Sequence, residues 1–490
     1  MNTQIEKPKM VPPKKDFAEW YNEVLRMADI VDTTYPVKGF QTWLSYGWKI
    51  RNSVFNIVRN LLTETGHEEY YFPLLIPDNL FSVEKEMARG FEGEVYWVTK
   101  GGINPLAVKL AIRPTSEIPI YLMFSKWIRS YTDLPLKVWQ LVNTVRYETK
   151  ATKPLIRVRE ITSFKEAHTA HSTSEDALKQ IDEAVKIYKE LFDRVGVPYI
   201  ISRRPEYDKF PGAEYSIAFD TIFPDGRTLQ IGTVHYHGQR FSRSFDIKFL
   251  DSKGVNQYAY TTCYGLSERV IASILAIHGD DHGLKLPPQI APIDIVIIPI
   301  TAGKETDNKV LEYASKIKDT VSRKFTVQID SRDLRPGKKY YEWELKGVPL
   351  RIEIGVKEVE NGTVTVFRRD NFKKINLKTD NLLEDIEKLM SELEDSMFAE
   401  ADKAVKSRIY QADVFFSLDG EDAISMLVDE ETGEFKGGII EVPVCDNIKC
   451  ELQISNYLTV LGEPLEPRSV KGKCICGRKA VKIIRVSKQY

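Results

Sequence analysis

A segment of alternating charges at residues 145–168, VRYETKATKPLIRVREITSFKEAH, constrains the possible folds of this chain most strongly. It carries six basic residues and three glutamates around a short apolar pattern. Three pairs of its side chains stand two positions apart, and residues i and i+2 share one face of a β-strand; the pairs are Arg146 and Glu148, Arg157 and Arg159, and Phe164 and Glu166. This spacing predicts a β-hairpin. From spacing alone, the hairpin either clamps a polyphosphate between arginines or exposes charges to solvent.

Length and composition place the chain among multidomain globular proteins. It has 490 residues, of which 42% are hydrophobic and 28% charged, whereas one domain typically has about 100–200 residues. No apolar run approaches the ~18 residues of a membrane span, and segment 1–17 lacks the apolar core of a secretory signal. We therefore expect no membrane partner. The net charge of −1 means that any nucleic-acid contact must come from local patches. The low cysteine content fits a reducing, cytoplasmic location.

Hydrophobic periodicity predicts a first unit with an antiparallel sheet and flanking helices. Helices are predicted at residues 16–30, 42–66, 117–130, 172–194 and 266–279. Extended runs are predicted at residues 70–77, 198–204, 214–223, 228–238 and 245–250.

The polar, Gly/Pro-rich segment 279–292 marks a domain boundary. Beyond it, strands alternate with helices predicted at 305–322 and 337–346, as in an α/β unit with largely parallel strands. A helix predicted at 380–406 leads to a small third unit. That unit ends in a basic tail, with eight Lys or Arg and no Asp or Glu from Arg468 to Tyr490.

Four of the five cysteines lie in the third unit. They form a C-x4-C pair, Cys445 and Cys450, and a C-x-C pair, Cys474 and Cys476, with 23 residues between the pairs. Two close pairs of thiolates can supply the tetrahedral set of a structural Zn²⁺ site. The alternative is a group of buried free thiols. The fifth cysteine, Cys263, is interpreted as a core residue rather than a nucleophile.

Two further motifs fit the anion-binding interpretation of the hairpin. RPTSEIPIY at 113–121 places Thr115 and Glu117 two residues apart. YGLSERVIASILAIHG at 264–279 places Ser267 as a candidate N-cap and Arg269 in the first turn of a helix. A helix N-terminus with an added arginine favours an anion.

Taken in order, these motifs resemble those of class II aminoacyl-tRNA synthetases. GHEEYYFPLLIP, with Pro73, resembles motif 1, which builds a dimer interface; VRYE…RVREITSFKEAH resembles motif 2, and GLSER resembles motif 3. The resemblance implies that the hairpin holds ATP. Arg146 would hold the α-phosphate and the amino-acid carboxylate, Arg157 the distal phosphate and Arg269 the other side of the nucleotide. Glu148 would meet the adenine amine, and Phe164 would pack on adenine.

Within this class the chain is most similar to the prolyl-tRNA synthetases of archaeal and eukaryotic type. RPTSE matches their proline-binding loop and assigns Thr115 and Glu117 to proline, together with Arg146. LQIGTVHYHGQRFS matches a segment that contributes Gln230 and Thr233 to the ATP site and His235 to the proline site. Ser267 is assigned to ATP. Without the resemblance, His235 would be interpreted as a satisfied sheet histidine.

The resemblance implies ATP-dependent activation of L-proline and transfer of the prolyl group to tRNA(Pro) by a homodimer. Arg146 and Arg269 are the expected catalytic residues, with Mg²⁺ accompanying ATP and structural Zn²⁺ on the four cysteines. The expected domains are a class II catalytic domain at 1–285, an α/β anticodon-binding domain at 286–390 and a zinc-binding domain at 391–490. In the second, Glu353, Arg368 and Arg369 are candidate tRNA contacts or simply charged strand ends. The basic tail either contacts phosphates or covers the zinc domain.

Two alternatives compete with this interpretation. One is a threonyl or seryl enzyme of the same class; a threonyl enzyme would be expected to carry a zinc-binding Cys/His set in its catalytic domain, where the sequence has Cys263 alone. The other is an inactive, synthetase-like regulator or RNA-binding protein. That alternative predicts the loss of motif residues, whereas Arg146, Glu148, Arg157 and Arg269 are all present.

Overall fold

The computed structural model describes residues 10–81, 83, 90–91, 93–301, 307–412 and 437–490. The predicted helices are confirmed where they fall on these residues, and the first two residues of the helix predicted at 305–322 lie outside them. The helices are α1 Phe17–Met27, α2 Ser45–Glu64, α3 Asp78–Phe81, α4 Glu117–Trp127, α5 Ser174–Arg194, α6 Arg240–Ser244, α7 Arg269–His278, α8 Asp307–Val321, α9 Pro336–Leu345, α10 Val356–Asn361, α11 Leu382–Lys406 and α12 Ile448–Ser455. No described helix is long and apolar enough to cross a membrane.

The strands form two large sheets and three small ones. In chain order they are β1 Val31–Asp32, β2 Thr42–Trp43, β3 Glu68–Glu69, β4 Leu75–Pro77, β5 Tyr96–Gly101, β6 Asn104–Ile112, β7 Leu136–Val145, β8 Glu160–His171, β9 Ile200–Arg203, β10 Tyr215–Ile222, β11 Thr228–Gly238, β12 Lys248–Leu250, β13 Asn256–Tyr258, β14 Tyr260–Leu266, β15 Ile295–Pro299, β16 Val327–Ile329, β17 Leu350–Ile354, β18 Thr363–Arg368, β19 Lys374–Lys378, β20 Ile409–Gln411, β21 Ile439–Val444, β22 Thr459–Pro464 and β23 Lys482–Ser487.

The largest sheet has eleven strands in the order β20-β21-β23-β22-β9-β10-β11-β14-β8-β7-β3. Its pairs are antiparallel except at the two ends, where β20 pairs with β21 and β3 with β7 in parallel. This confirms the antiparallel sheet predicted for the first unit. The helix α5 packs on one face because its apolar stripe, which includes Tyr188 and Phe192, lies against strands β8, β11 and β14.

The second large sheet contains strands β15 to β19, between residues 295 and 378. Its order is β16-β15-β17-β18-β19, with β15 parallel to both β16 and β17 and the remaining pairs antiparallel. The predicted α/β unit is confirmed, and its sheet is mixed rather than largely parallel. The reason is that α10 returns the chain through a left-handed Gly362 straight into β18, a short connection that permits an antiparallel strand.

The predicted boundary segment 279–292 is packed against the second unit. Arg369 forms an ion pair with Asp280 at 2.6 Å, and the amide of Leu284 donates to the carbonyl of Leu345. Leu284 and Leu286 are buried. The Gly/Pro composition therefore marks a turn between two units that is fixed by apolar contacts and a buried arginine.

The third unit continues the eleven-stranded sheet instead of forming a separate one. Strand β22 pairs with β9, with Glu463 opposite Arg203. The buried Arg485 of β23 donates to the carbonyl of Ile201 at 2.8 Å. Sequence periodicity could not show this, because it does not reveal which edges of two sheets will join.

Candidate active site

Strands β7 and β8 form the predicted hairpin. The loop that connects them carries Arg146, Glu148, Arg157 and Arg159. The strands pair from Leu136↔Ala170 to Val145↔Glu160. Phe164 and Glu166 lie on β8 and face a cavity, as their spacing predicted, whereas Lys165 points to the opposite face and contacts Tyr188. The strand argument is wrong for the pairs Arg146/Glu148 and Arg157/Arg159. Residues 146–159 are a loop, and the amide of Arg146 closes it onto the carbonyl of Arg159 at 2.8 Å.

All predicted substrate-binding residues line one cavity of about 470 Å³. They are Thr115, Glu117, Arg146, Glu148, Arg157, Phe164, Gln230, Thr233, His235, Ser267 and Arg269. They come from four separate stretches of the chain, which the order of strands in the sheet brings together. A further wall of the cavity is formed by residues 207–211, which the sequence did not single out.

Three of the predicted residues that line this cavity are arginines, Arg146, Arg157 and Arg269. The Nε of Arg146 donates to the carbonyl of Pro114 at 2.9 Å, and its guanidinium lies between the rings of Phe91 and Phe164, 5.2 and 5.5 Å from their centroids. Arg269 donates from Nε to the carbonyl of Ile156 at 2.9 Å. Such a cluster is suited to a ligand with several negative charges.

The positive charges in the cavity also affect the pKa of Arg269. Burial, and then the charges of Arg146 and Arg157, lower the pKa of Arg269 to about 10. Burial likewise lowers the pKa of Arg146. Burial disfavours the charged form of both arginines, and neighbouring positive charges add to this at Arg269. An anion in the cavity would offset both effects, so the arrangement favours binding of a phosphate group. Within the same loop, the carboxylate of Glu148 lies 3.7 Å from the Nε of Arg157 and forms an ion pair with it.

Two buried carboxylates, Glu117 and Glu166, also line the cavity. Thr115 donates its hydroxyl to Oε2 of Glu117 at 2.6 Å. Glu166 accepts from the amide of Ser116 at 3.1 Å and from Nε2 of Gln140 at 3.0 Å, and it also contacts the Ser116 hydroxyl. These bonds fix the loop that carries Glu117.

The two carboxylates have opposite pKa shifts. Burial is the largest influence and raises the pKa of Glu117. Burial acts in the same direction on Glu166, but the hydrogen bonds and charges of His168, Ser116 and Arg113 together lower the pKa of Glu166. Glu117 is therefore the carboxylate that would gain most from a cationic ligand.

His235 forms part of the cavity wall in a neutral state. Its Nδ1 lies 2.8 Å from the hydroxyl of Ser216, and its ring is 4.7 Å from that of Phe210. Burial lowers the pKa of His235 to about 3. The ring can therefore hydrogen-bond a ligand without adding positive charge.

Glu268 is a site residue that sequence reasoning missed, and Glu166 was singled out only by its spacing from Phe164, with no role assigned to it. Glu268 accepts from the amides of Thr162 and Ser163 at 3.4 and 3.0 Å, which ties the start of α7 to β8. Burial raises the pKa of Glu268 to about 7. The signals were weak because each is an isolated glutamate whose partners lie far away in sequence. Ser267 accepts from the amide of Arg269 at 3.4 Å, but the N-cap residue of α7 is Glu268 and not the predicted Ser267.

Cys263 was interpreted as a lone core cysteine, but the structure places two polar side chains, Glu117 and His168, beside its sulfur. It is buried, but it lines the cavity. Its Sγ lies 3.5 Å from Oε1 of Glu117 and 3.7 Å from Nε2 of His168. This group could not be recognised from the sequence, because His168 and Cys263 come together only when β8 pairs with β14.

The last residue of the chain reaches the loop of the hairpin. Tyr490 pairs through its amide with the carbonyl of Thr228 at 3.0 Å. Its hydroxyl accepts from Nζ of Lys153 at 3.1 Å and also contacts Asp225. The basic tail therefore contacts the loop that carries Arg157, and its Arg485 is buried beside Glu441.

The four C-terminal cysteines form a cluster at one end of the third unit. Cys445 follows β21, Cys450 lies on α12, and Cys474 and Cys476 lie in a turn. Their sulfur atoms are all within 4.8 Å of one another, and the pairs Cys445–Cys450 and Cys445–Cys476 are 3.7 and 3.8 Å apart. A tetrahedron with Zn–S bonds of about 2.3 Å has S–S edges of about 3.8 Å. The cluster therefore suggests a zinc site.

The candidate tRNA contacts of the second unit are engaged within the protein. Glu353 pairs with Arg351 and Lys374, and Arg368 pairs with Asp370 and Glu392. The exposed fraction of Glu353, Arg368 and Arg369 is 6%, 7% and 1%. These residues therefore fit the alternative interpretation, charged residues at strand ends, because their ion pairs and burial leave little surface for a nucleotide.

Two segments of the chain match known protein families. Residues 96–278 match the class II core domain of tRNA synthetases (G, H, P, S and T), and residues 294–389 match an anticodon binding domain. The chain is 52% identical to the proline–tRNA ligase of Methanocaldococcus jannaschii over 91% of this chain and 96% of that protein. It is 50% identical to that of Sulfurisphaera tokodaii over 97% and 98%.

The fold is also similar to that of a solved structure. Giardia lamblia prolyl-tRNA synthetase in complex with prolyl-adenylate superimposes with a TM-score of 0.92 at 36% identity, covering 98% of this chain and 100% of that chain. The likeness extends over all three units.

Proposed function

The chain belongs to the prolyl-tRNA synthetases of archaeal and eukaryotic type and has proline–tRNA ligase activity, and from this premise we propose how its cavity performs the reaction. Proline binds with its secondary ammonium at Glu117. ATP binds at Arg146, Arg157 and Arg269 as its Mg²⁺ complex. The observation that carries the proposal is that all eleven predicted residues line one cavity, which combines the buried carboxylate of Glu117 with these three arginines.

In the first step, a proline carboxylate oxygen attacks the α-phosphorus of ATP. A new O–P bond forms, the bond to the bridging oxygen breaks, and pyrophosphate leaves with prolyl-adenylate remaining. The attacking group is already a nucleophile, so positioning and charge stabilisation account for catalysis. Arg146 bridges the two reacting groups, and Arg157 and Arg269 neutralise the phosphates.

The adenine and ribose are held by the remaining residues. Glu148 accepts from the adenine amine, Phe164 packs on the base, and Gln230, Thr233 and Ser267 contact the nucleotide. Phe164 is half-buried, and a Cβ built on Gly265 would lie 3.6 Å from its ring. The small residue at 265 therefore leaves the ring accessible.

Specificity for proline comes from Glu117, Thr115 and His235. Thr115 orients the carboxylate, and the neutral ring of His235 forms a wall that can accept or donate a hydrogen bond without repelling the ammonium. In the second step, a hydroxyl of the 3′-terminal adenosine of tRNA(Pro) attacks the prolyl carbonyl, and AMP leaves.

We extend the proposal to the domain limits of 1–285, 286–390 and 391–490. The last limit falls within α11, whose residues Leu382 to Met397 pack into the core of the second unit. The anticodon-binding unit reads tRNA(Pro). The four cysteines hold one structural Zn²⁺, which organises the chain around α12 and places the tail. Thiolates that bind metal need a reducing compartment, which supports a cytoplasmic location.

The dimer is also part of the proposal. Apolar side chains are exposed on and beside the sheet β4-β6-β5, near the motif 1 proline. They include Tyr71, which is 74% exposed, together with Leu74, Leu75, Val108 and Trp127. Several large apolar side chains exposed on and beside one small sheet are typical of an interface. A second copy of the chain would cover it.

Steady-state kinetics of Glu117→Gln tests the proposed proline site. The variant keeps the shape and loses the charge, so KM for proline in ATP–pyrophosphate exchange should rise at least tenfold, the equivalent of about 1.4 kcal/mol, with KM for ATP within about twofold. Glu175→Gln, an exposed side chain of α5, is the matched control. An unchanged KM for proline would refute the proposed role of Glu117.

A further inference from the structure

Three side chains with different metal-binding chemistry meet at the floor of the cavity. Glu117 begins α4, His168 lies on β8 and Cys263 lies on β14. His168 and Cys263 are directly opposite each other in the β8–β14 pairing, so their side chains share one face of the sheet. All three residues are buried, and their ligand atoms lie within 4.8 Å of one another.

The separations match those of a tetrahedral Zn²⁺ site. Bonds of about 2.3 Å to sulfur and 2.0–2.1 Å to nitrogen or oxygen, at tetrahedral angles, give edges of about 3.5 Å. The sulfur of Cys263 lies 3.5 Å from Oε1 of Glu117 and 3.7 Å from Nε2 of His168. Shifts of a few tenths of an ångström would therefore complete three corners of the tetrahedron.

The surrounding residues orient the ligand atoms toward that centre. Nδ1 of His168 lies 3.3 Å from the hydroxyl of Tyr121, which in turn lies 2.9 Å from Nδ1 of His237. His168 therefore has its other nitrogen, Nε2, directed at Cys263. Thr115 holds the second oxygen of Glu117. Hydrogen bonds of this type fix ring and carboxylate orientation in metal sites.

The local charge also favours a cation. Glu166 lies 3.6 Å from Nε2 of His168 and adds a second carboxylate beside the three ligand atoms. It is already bound by Ser116 and Gln140, so we do not count it as a ligand. The opposing charges are Arg146, which is anchored to Pro114, and Lys165, whose ammonium lies on the other face of the sheet.

We propose that Glu117, His168 and Cys263 bind one thiophilic divalent cation of the Zn²⁺ class, which occupies the ammonium position and excludes proline. Binding forms one bond to each ligand atom and releases the thiol proton of Cys263 to solvent. The fourth position faces the cavity, where water completes the site, because Glu117 and Cys263 both line it. The metal is thus a competitive inhibitor, and this part rests on the proposed role of Glu117 in proline binding.

Titration with Co²⁺ of the full-length protein that carries one Zn²⁺ per chain, in the four-cysteine site, tests the proposed site directly. Thiolate clusters favour Zn²⁺, so the four-cysteine site should keep its metal, and tetrahedral cobalt–thiolate absorbance should report on Cys263. We expect this absorbance to saturate at one Co²⁺ per chain and to disappear on addition of Zn²⁺. Cys263→Ser should abolish it. Tyr121→Phe, which removes only the hydroxyl beside His168, should weaken Co²⁺ binding about 10–100-fold.

The control variant and the competition arm separate the possible outcomes. Cobalt absorbance that persists in Cys263→Ser and is lost in Cys445→Ser would overturn the proposal, as would binding unaffected by Tyr121→Phe. L-proline should displace Co²⁺, whereas L-threonine should not. Cobalt bound at Cys263 but indifferent to proline would refute the inhibitory role. Because absorbance is read without turnover, failure of the metal site is distinguishable from failure of the proposed proline site, which the Glu117→Gln kinetics measure.

Discussion

The guanidinium of Arg146 is the group whose removal should slow adenylation most. Its Nε is anchored to the carbonyl of Pro114, and the side chain lies between two aromatic rings. Within the described part of the chain, its terminal nitrogens have no hydrogen-bond partner, so two donors are available to a ligand. In the proposed complex they contact the α-phosphate and the proline carboxylate, whose charges change during the reaction.

Interactions that strengthen as charge develops lower the barrier rather than only tightening binding. Loss of one such donor typically costs about 10²–10³ in kcat, or about 3–4 kcal/mol. We therefore expect Arg146→Ala to reduce kcat for proline-dependent exchange by at least that factor. Arg146→Lys should recover little, because an ammonium cannot grip two groups in one plane while also bonding the carbonyl of Pro114.

The assay is ATP–pyrophosphate exchange at saturating proline and ATP, with thermal unfolding to confirm that each variant is folded. Arg194→Ala is the matched control, since Arg194 only pairs with Glu190 on the surface of α5; an exposed pair of this kind contributes about 0.3–0.5 kcal/mol to stability. If Arg146→Ala retains a kcat within a few-fold of the wild-type value, the assignment of Arg146 to the reacting groups is refuted.

Three further predictions concern charge, metal and assembly. The pKa of Glu268 is raised from 4.5 to about 7 in the folded protein, so the folded state binds more protons than the unfolded state between these values, and stability should fall as pH rises from about 4.5 to 7. Glu268→Gln should remove on the order of 3 kcal/mol of this fall across the pH range, and an identical pH dependence in calorimetric or denaturant unfolding would contradict the assignment. Cys445→Ser should lower the zinc content measured by elemental analysis well below one ion per chain and increase hydrogen exchange around α12, with a smaller effect on exchange activity; a full zinc complement would be inconsistent with the site. Replacing Tyr71 and Leu75 by Asp should give monomers in analytical ultracentrifugation, whereas an intact dimer would show that the apolar surface beside β4 is not the interface.

The sequence predicted local features well because they depend on short-range periodicity. The α5 helix was predicted at 172–194 and begins at Ser174, with Thr173 as its cap. Phe164 and Glu166 face the cavity because both lie on the regular strand β8. Arg146 and Arg157 also reach the cavity, but from a loop, so the strand argument identified them for a wrong geometric reason.

Long-range features needed the structure. The contact between His168 and Cys263 depends on strand register, and the pairing of β22 with β9 joins segments some 260 positions apart. Glu268 is an ordinary first-turn glutamate in sequence and becomes informative only when its carboxylate meets the amides of β8. Isolated residues carry no periodic signal, and register and sheet edges are fixed by packing that a single sequence does not display.

The most direct measurement of the central claim is ATP–pyrophosphate exchange with each of the twenty amino acids in turn, without tRNA. The cavity combines a carboxylate for a secondary ammonium with a neutral wall at His235, so L-proline should drive exchange best. Alanine and cysteine should follow far behind, because a small apolar pocket separates near-isosteres by only about 1–3 kcal/mol. Exchange driven best by threonine or serine, or no exchange with any amino acid, would contradict the assignment of this cavity to proline.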